Sequence, residues 1–81
     1  MQVAVDISLY PLDADFIPPI KAVIERLGKH DGIEIDRNRM STQLRGEFDV
    51  VMPILTAEIE ATFESVPKAV FAIKILNNPV N

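Results

Sequence analysis

Hydrophobic and polar positions alternate strictly from Gln2 to Tyr10, with Val3, Val5, Ile7 and Leu9 on one side and Ala4, Asp6, Ser8 and Tyr10 on the other. A period of two over that length predicts a half-buried strand, and Pro11 stops it. Next comes a short acidic loop, in which Asp13 or Asp15 is expected to cap a helix. Phe16, Ile20, Val23, Ile24 and Leu27 then recur at spacings of three and four, the stripe of an amphipathic helix. Pro18 and Pro19 fall in its first turn, where proline costs no intrahelical bond, and Gly28 ends it.

Ile33 to Asp36 alternates again, giving a second strand. Arg37-Asn38-Arg39 reads as a tight connection and Met40 to Arg45 as a third strand, so the two form an antiparallel hairpin. After Gly46, Val51, Ile54, Leu55, Ile59, Thr62, Phe63 and Val66 predict a second helical stripe, with Glu58, Glu60 and Glu64 on the exposed side and Pro53 near the start. Pro67 closes it. Ala69 to Leu76 is a nearly continuous apolar run, expected to be a strand buried on both faces or nearly so.

The order β-α-β-β-α-β predicts an α+β, ferredoxin-like sandwich. Right-handed crossovers place both helices on one face of a four-stranded antiparallel sheet of order 4-1-3-2. One domain is expected over residues 1–77, with a polar tail at 78–81.

Composition narrows the function. Eight Lys and Arg against twelve Asp and Glu give a net charge of −4, which speaks against nucleic acid or an anionic membrane as partner. No apolar run is long enough to span a bilayer and no signal peptide is visible, so a cytoplasmic location is expected. The chain has no cysteine, which removes thiolate catalysis and cysteine-based metal sites. A small domain without disulfides is expected to gain stability by associating with itself.

Catalytic constellations are thin. His30 is the single histidine and lies in a turn, and the serines have no nucleophile-elbow setting. No metal set, cofactor loop or catalytic pair is expected. The open sheet face is mixed instead, with Asp6, Ser8, Tyr10, Ser41, Gln43 and Arg45 beside Val70, Ala72, Lys74 and Leu76. Stacked copies would bury its apolar members and pair Asp6 with Arg45 or Lys74. The same residues could hold a flat heterocycle, preferably cationic. Tyr10 would stack on the ring, Asp6 would accept from an exocyclic amine, and Asn38, Ser41, Thr42 and Gln43 would supply neutral partners. Each also has a plain alternative: an edge-covering tyrosine, a turn asparagine, ordinary strand polarity.

Ile7-Ser8-Leu9-Tyr10-Pro11-Leu12, Ile17-Pro18-Pro19-Ile20, Met40-Ser41-Thr42-Gln43 with Gly46, and Lys68-Ala69-Val70-Phe71 follow in order along almost the whole chain. In this the chain resembles the YkoF-like thiamine-binding protein family. The resemblance implies a ferredoxin-like domain, dimers or tetramers of single-domain members, and tandem members that bind thiamine or its hydroxymethylpyrimidine part. It also implies a ligand cleft along the sheet at Ser8, Tyr10, Met40, Ser41, Thr42 and Gln43. The chain has one repeat where tandem members have two, so partner subunits would have to complete a pocket. A structural or regulatory oligomerisation module without thiamine binding is the alternative, and a small enzyme acting on such a heterocycle has least support.

Overall fold

The structure, a computed structural model, describes residues 1–12 and 14–79. Its elements are β1 (Gln2–Pro11), α1 (Ile17–Leu27), β2 (Ile33–Arg37), β3 (Thr42–Glu47), α2 (Phe48–Ser65) and β4 (Ala69–Asn77). They form one antiparallel sheet of order β2-β3-β1-β4. This is the expected βαββαβ arrangement, with β1 and β3 central.

The alternation in β1 sorts its side chains as the period requires. Val3, Val5 and Ile7 are buried under the helices, where they meet Val23 and Leu27 of α1, Leu44 of β3, and Val51 and Leu55 of α2. The end bonds of the ladder fix which main-chain groups of β1 face which neighbour. Leu12 donates to the Lys68 carbonyl and Asn78 to the Gln2 carbonyl, both in register with the β1–β4 pairing. Hydrogen-bonded and non-bonded pairs alternate along an antiparallel ladder. The even residues of β1 therefore bond to β4 and the odd ones to β3. Phe48 donating to the Met1 carbonyl agrees with that parity on the β3 side. Pro11, opposite Ala69, falls in a non-bonded pair, so its missing N–H costs the β4 ladder nothing.

Several expectations are corrected. Helix α1 begins at Ile17, and Phe16 takes the N-cap position with no side-chain capping bond, so Phe16 is exposed instead of joining the stripe. The cap expected from Asp13 lies outside the described residues, as do Val80 and Asn81 of the tail. Strand β3 starts at Thr42, two residues later than expected, and runs directly into α2 at Phe48 without a loop. Pro53 therefore sits inside α2, on its exposed side.

The buried row of α2 is Val51, Leu55, Glu58 and Thr62, so Glu58 faces inward at 4% exposure while Phe63 turns outward. Arg26 of α1 explains the rotation: its Nε donates to Glu58 Oε1 at 2.7 Å, and its Nη2 reaches the same oxygen. Nη2 also lies 3.5 Å from the Thr62 hydroxyl. A carboxylate that close to a guanidinium can be buried at a cost an unpaired one could not bear. Finally, β4 is an edge strand with Val70 and Ile75 each 49% exposed and Leu76 57% exposed, so its apolar run is not covered on both faces within one chain.

Removing one partner of the interhelical pair should cost more than removing both. Arg26→Leu is expected to lower stability by about 2 kcal/mol, the half-exposed guanidinium moderating the penalty, and Arg26→Leu/Glu58→Leu to recover most of it. Urea unfolding of the two variants measures this.

Candidate functional site

Strand β1 is ten residues long and β3 six, and that mismatch builds the site. The β1–β3 pairing ends at Ile7 opposite Thr42, while β1 continues beside β4 as far as Pro11. By the parity of the ladder, Leu9 points its N–H and C=O towards the side that β3 has left. The gap forms a depression of about 170 Å³ between the end of β1, the β2–β3 hairpin and α1. Ser8, Leu9, Tyr10, Met40, Ser41 and Ile24 are among its lining residues.

The hairpin is held across this gap by its own turn chemistry. Asn38 donates its N–H to the Ser41 carbonyl at 3.1 Å, leaving Arg39 and Met40 as a two-residue tip. The Asn38 side-chain oxygen accepts from the N–H groups of Met40 and Ser41 at 2.8 and 2.9 Å. Neither tip residue has a positive φ, which excludes the mirror-image turns favoured in short hairpins. An asparagine that accepts from the two following amides suits the common type I turn. Two further bonds tie the tip to β1. The Ser41 hydroxyl donates to Asp6 Oδ1 at 2.5 Å, and the Ser8 hydroxyl to the Met40 carbonyl at 3.4 Å.

Six of the expected residues, Ser8, Tyr10, Asn38, Met40, Ser41 and Thr42, line this one depression. Their orientations differ. Tyr10 is half exposed on the open face and Met40 is 85% exposed at the tip, whereas Thr42 is buried on the helix side. Asn38 spends its side-chain oxygen on the turn. Asp6 and Gln43 are direct partners in adjacent strands and lie one step further along the open face. Together they border a second depression of about 290 Å³ that reaches Lys74 and Leu76. The Ser41–Asp6 bond joins the two. Register places Lys74 opposite Asp6 and Arg45 opposite Ala4 and Glu34, and the Asp6 carboxylate accepts from the Ser41 hydroxyl.

Sequence reading missed the Leu9 main chain and the apolar wall supplied by Ile20 and Ile24. The available signal was length: the alternating run of β1 is longer than anything that could pair with it from the hairpin. The described titration shifts lie at the opposite end of the sheet. There the Glu47 carboxyl sits below its usual range because the Met1 amine and the Gln2 amide donate to it. Among the described residues no cluster of histidine, aspartate and glutamate could hold a metal ion, and no helix is long and apolar enough to cross a membrane.

The family model for thiamine-binding proteins matches residues 5–79. The chain belongs to the thiamine-binding protein family. Solved structures agree with the fold. A Streptococcus pneumoniae protein superposes with a TM-score of 0.90 at 26% identity, covering 99% of this chain and 90% of its own. A putative thiamine biosynthesis/salvage protein from Thermotoga maritima gives 0.82 at 21% identity, covering 93% and 82%. A domain of unknown function from Bacillus cereus gives 0.79 at 24% identity, covering 98% and 78%. No curated protein sequence matches the chain.

Asn38→Ala should loosen the tip without disturbing the core. Loss of an acceptor worth about 1 kcal/mol is expected to speed amide exchange at Met40 and Ser41 by roughly fivefold, with Val5 and Leu44 unchanged. Native-state hydrogen exchange reads both.

Proposed function

We propose that the protein is a non-enzymatic, cytoplasmic binder of thiamine or a related pyrimidine such as hydroxymethylpyrimidine, and that it acts as a homo-oligomer. The observation that carries this reading is the Asp6–Ser41 pair beside the unpaired stretch of β1. An aminopyrimidine presents an exocyclic amine next to a ring nitrogen. The Asp6 carboxylate can accept from the amine. The Ser8 hydroxyl and the Leu9 N–H can donate to a ring nitrogen, and the Tyr10 ring can cover the heterocycle. A net charge of −4 also suits a ligand carrying a cationic thiazolium better than an anionic one.

Size supports the oligomer. Sites that enclose a drug-sized ligand measure about 300–1,000 Å³. The 170 Å³ depression falls short of that, so a second surface would have to close over a ligand. Family membership supports a binding role over a catalytic one. The same small volume, together with the exposed apolar residues of β4, favours the alternative of an oligomerisation module that takes no thiamine.

Titration with thiamine and with hydroxymethylpyrimidine separates the two. Binding at a hundredfold over Kd should add about 2.7 kcal/mol of stability. In a domain this small that raises Tm by more than about 10 °C. Ser41→Ala is expected to weaken binding roughly tenfold by releasing Asp6. No heat in calorimetry and no thermal shift at millimolar ligand would overturn the proposal and leave the oligomerisation module.

A further inference from the structure

The helix layer leaves one part of the sheet uncovered. Ile35 and Arg37 of β2 pair with Leu44 and Thr42 of β3, which are buried on the helix side. Cross-strand partners share a face, so the odd row of β2, Ile33 included, also points towards the helices. Both isoleucines are nevertheless only half-buried. Strand β2 is an edge strand, and the buried residues of α1, Val23 and Leu27, pack into the central core instead. An open groove of about 600 Å³ lies between α1 and β2, against about 170 Å³ for the notch beside Leu9. Ile24, Ile33 and Ile35 give the groove an apolar floor, and Ile24 is the one lining residue that the two depressions share.

An ammonium, an imidazole and a guanidinium rim that floor, from Lys29, His30 and Arg37. The main chain of the first two is already engaged. Their N–H groups donate to the Arg26 and Leu27 carbonyls at 3.2 and 3.3 Å, which fixes the turn after α1. The three side chains make no hydrogen bond or ion pair among the described residues. The protein carries a net charge of −4, yet the groove sets Lys29 and Arg37 against a single carboxylate, Glu25. Gly28 leaves the helix end bare. Its φ of −67° suits any residue, and an added Cβ would meet nothing nearer than the Ile24 carbonyl at 3.5 Å. Room, an apolar floor and unspent donors therefore coincide at one place.

We propose that this groove binds a small carboxylate with an apolar body, such as an aliphatic acid. The planar Arg37 fork presents paired N–H groups that match the two oxygens of a carboxylate. Lys29 adds a second positive charge and His30 a further N–H. The apolar body covers Ile24, Ile33 and Ile35, removing their exposed area from water. A neutral alcohol of equal length gives up the rim, and a short acid gives up the floor. An amphipathic cation meets two like charges. A volume of about 600 Å³ falls within the range of ligand-sized sites, about 300–1,000 Å³. The groove lies on the helix side of β2, away from the open sheet face, and its ligand is independent of whether the chain takes a pyrimidine.

Octanoate is the probe, with octan-1-ol, octylammonium and acetate as controls, titrated into the full chain while amide chemical shifts are followed. Octanoate should saturably shift Gly28, Lys29, His30, Ile33, Ile35 and Arg37 and leave Ala4, Ser8 and Leu76 unmoved. It should bind roughly tenfold more tightly than any control, the discrimination that one hydrogen bond to a charged group provides. Arg37→Gln should weaken octanoate by roughly tenfold, and Lys29→Gln, a single point charge in water, by about threefold. Both residues are exposed and unbonded, so the variants keep the fold. Glu25→Gln should tighten binding by removing the opposing carboxylate. No saturation at millimolar octanoate, shifts centred on the open sheet face, or octan-1-ol binding as well as octanoate would each overturn the proposal. So would undiminished binding in Arg37→Gln, or weaker binding in Glu25→Gln, which would mean that the carboxylate of Glu25 grips the ligand.

Discussion

Strand β1 is hydrogen-bonded along both of its sides, and the two sides do not end together. Its even residues serve β4 through its whole length, while its odd residues serve β3 only as far as Ile7. The core depends on this strand because Val3, Val5 and Ile7 form the floor onto which both helices pack. The notch at Leu9 depends on it as well. Core and candidate site are two consequences of one register.

Helix packing is governed by a second, more local constraint. A charged pair between α1 and α2 sets the rotation of α2 about its axis. Glu58 and Thr62 share a buried row with Val51 and Leu55, at spacings that a purely apolar stripe would satisfy equally well. The helix takes the orientation in which the carboxylate meets Arg26. Phe63 is displaced outward as a result and rests against Phe71 near the sheet edge.

Element order was legible in the sequence because it rests on local periods, which survive without knowledge of partners, and strand order followed from it through the handedness of the two crossovers. Of the candidate site, the gathering of Ser8, Tyr10, Asn38, Met40, Ser41 and Thr42 was legible for the same reason: once the strands are ordered, they meet at one end of β1. What was not legible depends on pairs far apart in the chain. Glu58 reads as a solvated glutamate until Arg26, 32 residues earlier, is placed beside it. The Ser41 hydroxyl that meets Asp6 lies 35 residues away along the chain, and no local pattern reports their contact. Leu9 contributes through its main chain, which no side-chain pattern reports.

The two-residue tip at Arg39 and Met40 also decides how open the notch is. Lengthening the hairpin by one residue on each strand would carry β3 up to Leu9 and pair its free N–H and C=O, turning the depression into ordinary sheet. Shortening it would widen the gap but remove Ser41 and its hold on Asp6. Hairpin length therefore works as a single adjustable dimension, trading ladder bonds against accessible main chain. Relatives with longer or shorter hairpins on the same fold could differ in what they hold while their cores stay unchanged.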